Sequence, residues 1–179
     1  ETPLAFVYRG IVAPDGKFEK FVVINRLKSD LRGFPEFFKA MGGQFKSASK
    51  LTGSSVATPL DLQDMDGEYI SVYQFDDGRF LDDVIRRSTD EGFPFSMDHV
   101  LLIASKTTAA LAYSYSKGIA NGFLIPSSVH ISFEGDVKLY DTVSAPLTAS
   151  LVKANPELVS AYADYIHPDV LNGGKGGEL

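Results

Sequence analysis

The chain has 179 residues, is 44% hydrophobic and 22% charged, and carries a formal net charge of −6. That length buries a sizeable core as one domain or as two small lobes sharing an interface, and the composition lies well outside the disordered range. An acidic balance whose longest basic cluster is Arg86–Arg87 excludes a nucleic-acid partner, which calls for a basic face. Without cysteine there is no disulfide and no thiolate metal site. No run reaches the roughly 20 apolar residues of a membrane span, the best one being broken at Ser105 and Lys106. The chain opens directly into folded-looking sequence without a signal peptide, so a cytoplasmic location and no membrane partner are expected. His99, His130 and His167 lie too far apart for a local metal motif and read as packing or surface residues.

Leu4–Gly10 and Phe18–Leu27 are rich in Val, Ile, Phe and Tyr, and Pro14-Asp15-Gly16 offers a turn between them, which predicts a hairpin. Pro35 suits a first helical turn, and Phe37, Phe38, Met41 and Phe45 recur at helical spacing. Gly42-Gly43 costs that helix roughly 2 kcal/mol of propensity, so a short or bent helix is expected. Residues 52–68 are polar and turn-rich, after which Tyr69–Phe75 alternates as a strand that Asp76-Asp77-Gly78 stops.

Phe80–Arg87 carries Leu81, Val84 and Ile85 on one face, a short amphipathic helix. A longer helix follows between the N-cap Ser96, with Asp98 in its first turn, and the C-terminal stop Gly118. Val129–Phe133 and Val137–Tyr140 flank Glu134-Gly135-Asp136, a second tight hairpin. Ala145–Ala163 reads as one or two helices, and the glycine-rich Asn172–Leu179 as a flexible tail or linker. The order gives an α+β architecture: an antiparallel lobe with one helix over 1–75, a helical region over 76–171, then the tail over 172–179.

These landmarks resemble the protein-kinase fold, and bacterial Ser/Thr kinases in particular, over nearly the whole chain. Val7-Tyr8-Arg9 matches a strand after the glycine-rich turn, and Val22-Val23-Ile24-Asn25 matches the Val-Ala-Ile-Lys strand. Gly78 and Leu81 fit the pattern after the hinge, and Ala110-Leu111-Ala112-Tyr113 with Gly118-Ile119 the helix before the catalytic loop. Gly135-Asp136-Val137-Lys138-Leu139-Tyr140-Asp141 is similar to the metal-binding turn, and Tyr165-Ile166-His167-Pro168-Asp169 to the end of the activation segment. The resemblance implies a two-lobed fold whose helical lobe is incomplete, since it stops near Pro168–Asp169.

Phosphoryl transfer needs a cradle for the phosphates, a lysine and metal ions to neutralise them, and an aspartate to orient the hydroxyl. Set against that list, the aligned cradle Glu1-Thr2-Pro3-Leu4-Ala5-Phe6 has no glycine. The lysine position is Asn25, and its glutamate partner is Gln44. Phe123 stands where the catalytic aspartate should, and Ser128 where a metal-binding asparagine should. Asp141 alone is retained, followed by Thr142-Val143, and would either hold a magnesium ion on a bound nucleotide or cap its own turn. The resemblance therefore implies a catalytically inactive, pseudokinase-like regulatory or signalling module, not an enzyme, with no cofactor. The alternative is a module that senses ATP without transferring phosphate.

Asp76-Asp77 and Asp82-Asp83 read as solvated carboxylates beside the hinge. Asp64-x-Asp66-Gly67 lacks the remaining ligands of a calcium loop, with Leu62 and Tyr73 at two ligand positions. The 97–117 helix would lack its usual cover, and an apolar face of that size marks an interaction site. Leu101, Ala104, Leu111 and Tyr113 are the candidate contact residues. Their expected partner is a protein, a neighbouring domain of the same chain, a second copy, or the 142–165 segment folded back.

Overall fold

The computed structural model describes residues 2, 4–13, 20–28, 35–166 and 168. The first strand pair follows its β-branched and aromatic pattern. β1 (Ala5–Val12) and β2 (Lys20–Leu27) run antiparallel from Ala5↔Leu27 to Val12↔Lys20. The turn expected at Pro14-Asp15-Gly16 and the tail 172–179 lie outside the described residues. β4 (Glu68–Gln74) pairs with β2 on one side and with β3 (Pro59–Met65) on the other, so the sheet order is β1-β2-β4-β3.

The stretch expected as a polar, turn-rich loop thus contains a strand. β3 is an edge strand, and Leu60 and Met65 on it are about half exposed, so it needs no regular apolar alternation. Its turn to β4 places Asp66 and Gly67 at φ 55 and 82, the left-handed pair of a two-residue hairpin loop. The Asp64 carboxylate accepts from the Gly67 N–H at 2.8 Å, so this motif closes a turn.

α1 (Pro35–Ala48) runs its 14 residues through Gly42-Gly43. Of the short or bent helix expected there, the first alternative does not hold, because the helix continues for a full turn beyond the glycine pair. Phe37, Phe38, Met41 and Ala48 are buried, and Phe38 stacks on Tyr69 with ring centroids 3.9 Å apart. Burying that stripe outweighs the weak propensity of two glycines.

Residues 75–77 lead to β5 (Gly78–Phe80), which joins β6 (Val129–Ser132) and β7 (Val137–Leu139) in a three-stranded antiparallel sheet. Gly78 is required there. A Cβ on it would collide with the Ile131 carbonyl oxygen and come within 2.6 Å of the His130 ring. Between β5 and β6 lie α2 (Leu81–Glu91) and α3 (Met97–Ser116). Ser96 caps α3 by accepting from the His99 N–H at 3.3 Å, and Gly118, at φ 79, takes the turn after it. α4 (Ala145–Ala154) and α5 (Pro156–Tyr162) complete the order.

One core cluster unites Val23, Met41, Leu51, Tyr73, Phe123, Tyr140, Leu151 and Tyr162, drawing on both sides of residue 75. A smaller one, around Ala110, Val129, Val137 and Leu139, lies under α3. Segment 55–57 ties the two sheets together. Leu139 donates its N–H to the Ser55 carbonyl at 2.9 Å and accepts from the Ala57 N–H at 2.8 Å.

Candidate functional site

A cavity of about 210 Å³ opens between the two sheets. Val7 of β1, Asn25 of β2 and Ser71 of β4 line it from one side. Asp82 and Asp83 at the start of α2, Ser128, Tyr140 and Asp141 line it from the other. Three of the five residues picked out by the kinase comparison therefore meet at one place: Asn25, Ser128 and Asp141. Gln44 and Phe123 are not among its walls.

Asn25 sits between Val7 and Ser71 in the register of the sheet, and its Oδ1 is buried without a hydrogen-bond partner. Gln44 is half-buried on α1, on the helical stripe of Met41 and Ala48. Phe123 is in the core, its ring edge-on to Tyr162 at 4.9 Å. Ser128 closes a local turn: its Oγ donates to the Ile125 carbonyl at 2.7 Å and accepts from the Ile125 N–H at 3.3 Å.

Asp141 holds φ 60. Ser144 Oγ lies 2.6 Å from both of its carboxylate oxygens, the Ser144 N–H 3.3 Å from one, and the Tyr73 hydroxyl 3.4 Å from the same one. Burial pushes this carboxyl up to about 6, against the pull of those donors. Burial, together with the Asp141 charge, also holds the Tyr73 phenol well above its ordinary value.

The neighbouring hinge carries contacts that sequence reasoning missed. The Tyr140 hydroxyl reaches the Gln74 carbonyl at 2.9 Å and Asp76 Oδ2 at 3.3 Å. Lys138 Nζ lies 2.6 Å from Asp76 Oδ1, with only 16% and 21% of the two side chains exposed. Asp76 is thus a mostly buried, paired carboxylate, correcting its reading as solvated. The available signal was the alternation of β7 and its exit, which puts Lys138 and Tyr140 on one face. His130, 3% exposed, packs against Phe80 and Tyr140 at 5.2 and 5.3 Å, and burial lowers its pKa.

A second concavity, about 490 Å³, runs along α3. Leu81, Ile103, Ala104, Leu111, Leu124 and Val129 are among its walls, and among the described residues no charged side chain lines it. Ala104 and Leu111 therefore face this groove, while Leu101 is 59% exposed on the same helix. Tyr113 turns elsewhere: its hydroxyl accepts from the Thr52 N–H at 3.2 Å, and its ring abuts Gly53. The 142–165 segment does not cover the groove. α4 packs against α1, Leu151 and Leu158 enter the main core, and of that segment's described side chains only Tyr165 lines the groove.

No family model matches the chain. It is 24% identical over 173 residues to a probable serine/threonine-protein kinase of Clostridium perfringens, an alignment covering 97% of this chain and 24% of the relative. It is also 24% identical to PrkC of Bacillus subtilis over 91% of its length, and to PknA of Mycobacterium tuberculosis over 88%. The chain spans 24% to 37% of the length of these curated relatives. Among solved structures, the kinase domain of Mycobacterium tuberculosis PknI superposes with a TM-score of 0.64 at 18% identity, covering 80% of this chain and 56% of that one.

The fold is therefore protein-kinase-like and α+β, and it corresponds to part of a kinase domain. The expectation that the chain is not an enzyme is overturned: the relatives it matches are named as serine/threonine-protein kinases. That expectation weighed residue types at single aligned positions, whereas the similarity runs along almost the entire chain. No described helix is long and apolar enough to cross a membrane.

Proposed function

We propose that the chain works as a kinase-like regulatory module that binds another protein, or a neighbouring domain of its own chain, through the α3 groove. The observation that carries this reading is that, among the described residues, no charged side chain lines a concavity of about 490 Å³. Met97, Val100 and Leu101 on α3 are 70%, 48% and 59% exposed and widen the apolar face. A contiguous uncharged surface of this kind marks a contact site. A photo-crosslinking residue placed at Leu101 should capture a discrete product in the producing cell, whereas the same residue at Lys39, exposed on α1, should not. Equal capture at both positions, or none at Leu101, rejects the reading.

A second reading is phosphotransfer of the kind the relatives are named for. Two findings support it: the extent of the similarity and the position of Asp141 in the wall of the interlobe cavity. Transfer of radiolabelled phosphate from MgATP that Asp141→Asn abolishes would establish it. Nucleotide binding without transfer would appear instead as thermal stabilisation alone. A Kd of about 10 μM gives roughly 2.7 kcal/mol at 1 mM ligand.

A further inference from the structure

The geometry points to the α3 groove as a binding site for a free fatty acid, its hydrocarbon chain along the groove and its carboxylate at the amino-terminal end of α3. The inference rests on the same open groove as the partner reading, but it names a small ligand for the groove floor. Val100, Ile103, Thr107 and Leu111 line the groove from α3, and Leu81 and Ile85 line it from α2. From Val100 to Leu111 the helix rises about 16 Å, so about 490 Å³ over that length makes a channel roughly 6 Å across. A helix with its side chains is roughly 10–12 Å in diameter and does not enter such a channel.

An extended peptide fits the width but not the chemistry. It would bring a backbone N–H and C=O at every residue, and each needs a partner once water is excluded. The polar side chains among the described walls are Thr107, Thr108 and Tyr165, and the Thr108 hydroxyl already donates to the Ala104 carbonyl at 2.8 Å. A hydrocarbon chain makes no such demand and gains from every methylene it buries. The channel admits one chain, so a two-chain membrane lipid is not its occupant.

The sign of the head group follows from what adjoins the channel. Phe95 lines both the groove and a second concavity of about 350 Å³, and the two meet at the first turn of α3, where Val100 faces one and His99 the other. This second concavity carries Arg79, Arg87 and His99 against one described acid, Glu91, which Arg87 already holds at 2.9 Å. A carboxylate there meets the fork of donors on Arg79, whereas a cationic head group would meet like charge.

Isothermal titration of the intact protein with sodium laurate, below its micelle-forming concentration, tests the assignment. Saturable binding is expected, weakening roughly tenfold for each two methylenes removed in decanoate and octanoate. Dodecyltrimethylammonium, with the same chain and the opposite charge, should bind at least tenfold more weakly than laurate. Ala104→Phe, which fills the groove, should abolish saturation, and Arg79→Gln should weaken laurate about tenfold. Ala109→Phe, exposed on the same helix and outside the groove, should leave laurate binding unchanged. No saturation, octanoate binding as tightly as laurate, the cationic amphiphile binding equally well, or equal loss in Ala109→Phe overturns the proposal. So does sedimentation with phosphatidylglycerol vesicles in place of laurate binding. The ligand comparison on the unmodified protein stands even where a variant fails to fold. Protein capture at Leu101 without laurate binding would reject the fatty acid and leave the partner reading in place, and the reverse result would do the opposite.

Discussion

At the scale of single residues, Asp141 is the group whose chemistry the fold has changed most. Its carboxyl rises from 3.8 to about 6 through burial, so the folded state holds a proton that the unfolded chain has released. The stabilising contribution is fully present below about pH 4 and is lost as pH rises through 6, a swing of roughly 2–3 kcal/mol. His130 acts in the opposite sense. Its lowered pKa favours the folded state above its ordinary value of 6.5 and costs stability as pH falls. The comparison of wild type with Asp141→Asn cancels the histidine and isolates the carboxyl. Urea unfolding between pH 4 and 7.5 should show the variant gaining on wild type as pH rises, by that amount, with asparagine accepting the left-handed backbone. A difference independent of pH would remove the carboxyl from this role. The position of Asp141 was legible in the string leading out of β7. Its environment was not, because Tyr73 arrives from a strand 68 residues away and Ser144 from the start of the next helix.

At the scale of elements, strong local patterns translated directly: β1, β2, β4, α2, α3 and the β6–β7 hairpin lie where alternation, caps and turn residues put them. The failures were β3 and β5, whose pairing supplies what their sequences lack. β5 is three residues long and exists because Gly78 lets it approach β6 closely. α1 failed in the other direction, since local propensity argued against its length and packing overrode it. That reversal makes a prediction. Gly43 is exposed and helical, and a Cβ added there meets nothing within 4 Å. Gly43→Ala should therefore stabilise the protein by roughly 0.5–1 kcal/mol, through helix propensity and a less mobile unfolded chain. A rise in the urea midpoint at unchanged m-value is the expected signature, and a fall would mean that α1 needs the glycine for a contact.

At the scale of the whole molecule, the two sheets are joined by the short segment 75–77, and the structure pins that segment to β7 instead of leaving it as a free hinge. Asp76 receives Lys138 at 2.6 Å and faces the Tyr140 hydroxyl at 3.3 Å, which also reaches the Gln74 carbonyl at 2.9 Å. These groups come from both sheets, so loosening any one of them loosens the relation between the sheets, and with it the shape of the cavity they enclose. No sequence pattern displays this, because the partners lie more than 60 residues apart. Removing only the cation leaves a largely desolvated carboxylate behind, which is more damaging than removing the pair. Lys138→Met should thus cost roughly 2–3 kcal/mol, somewhat less than a fully buried pair because both groups keep some solvent. Lys138→Met combined with Asp76→Leu should recover most of that loss, a non-additivity that a double-mutant cycle in urea reads directly. Hydrogen exchange should show the amides of 75–77 and β7 accelerating together in Lys138→Met while those of α1 stay slow. Additive losses, with no change in exchange at the linker, would mean that the backbone pairing of Leu139 with segment 55–57 alone sets how the two sheets are held.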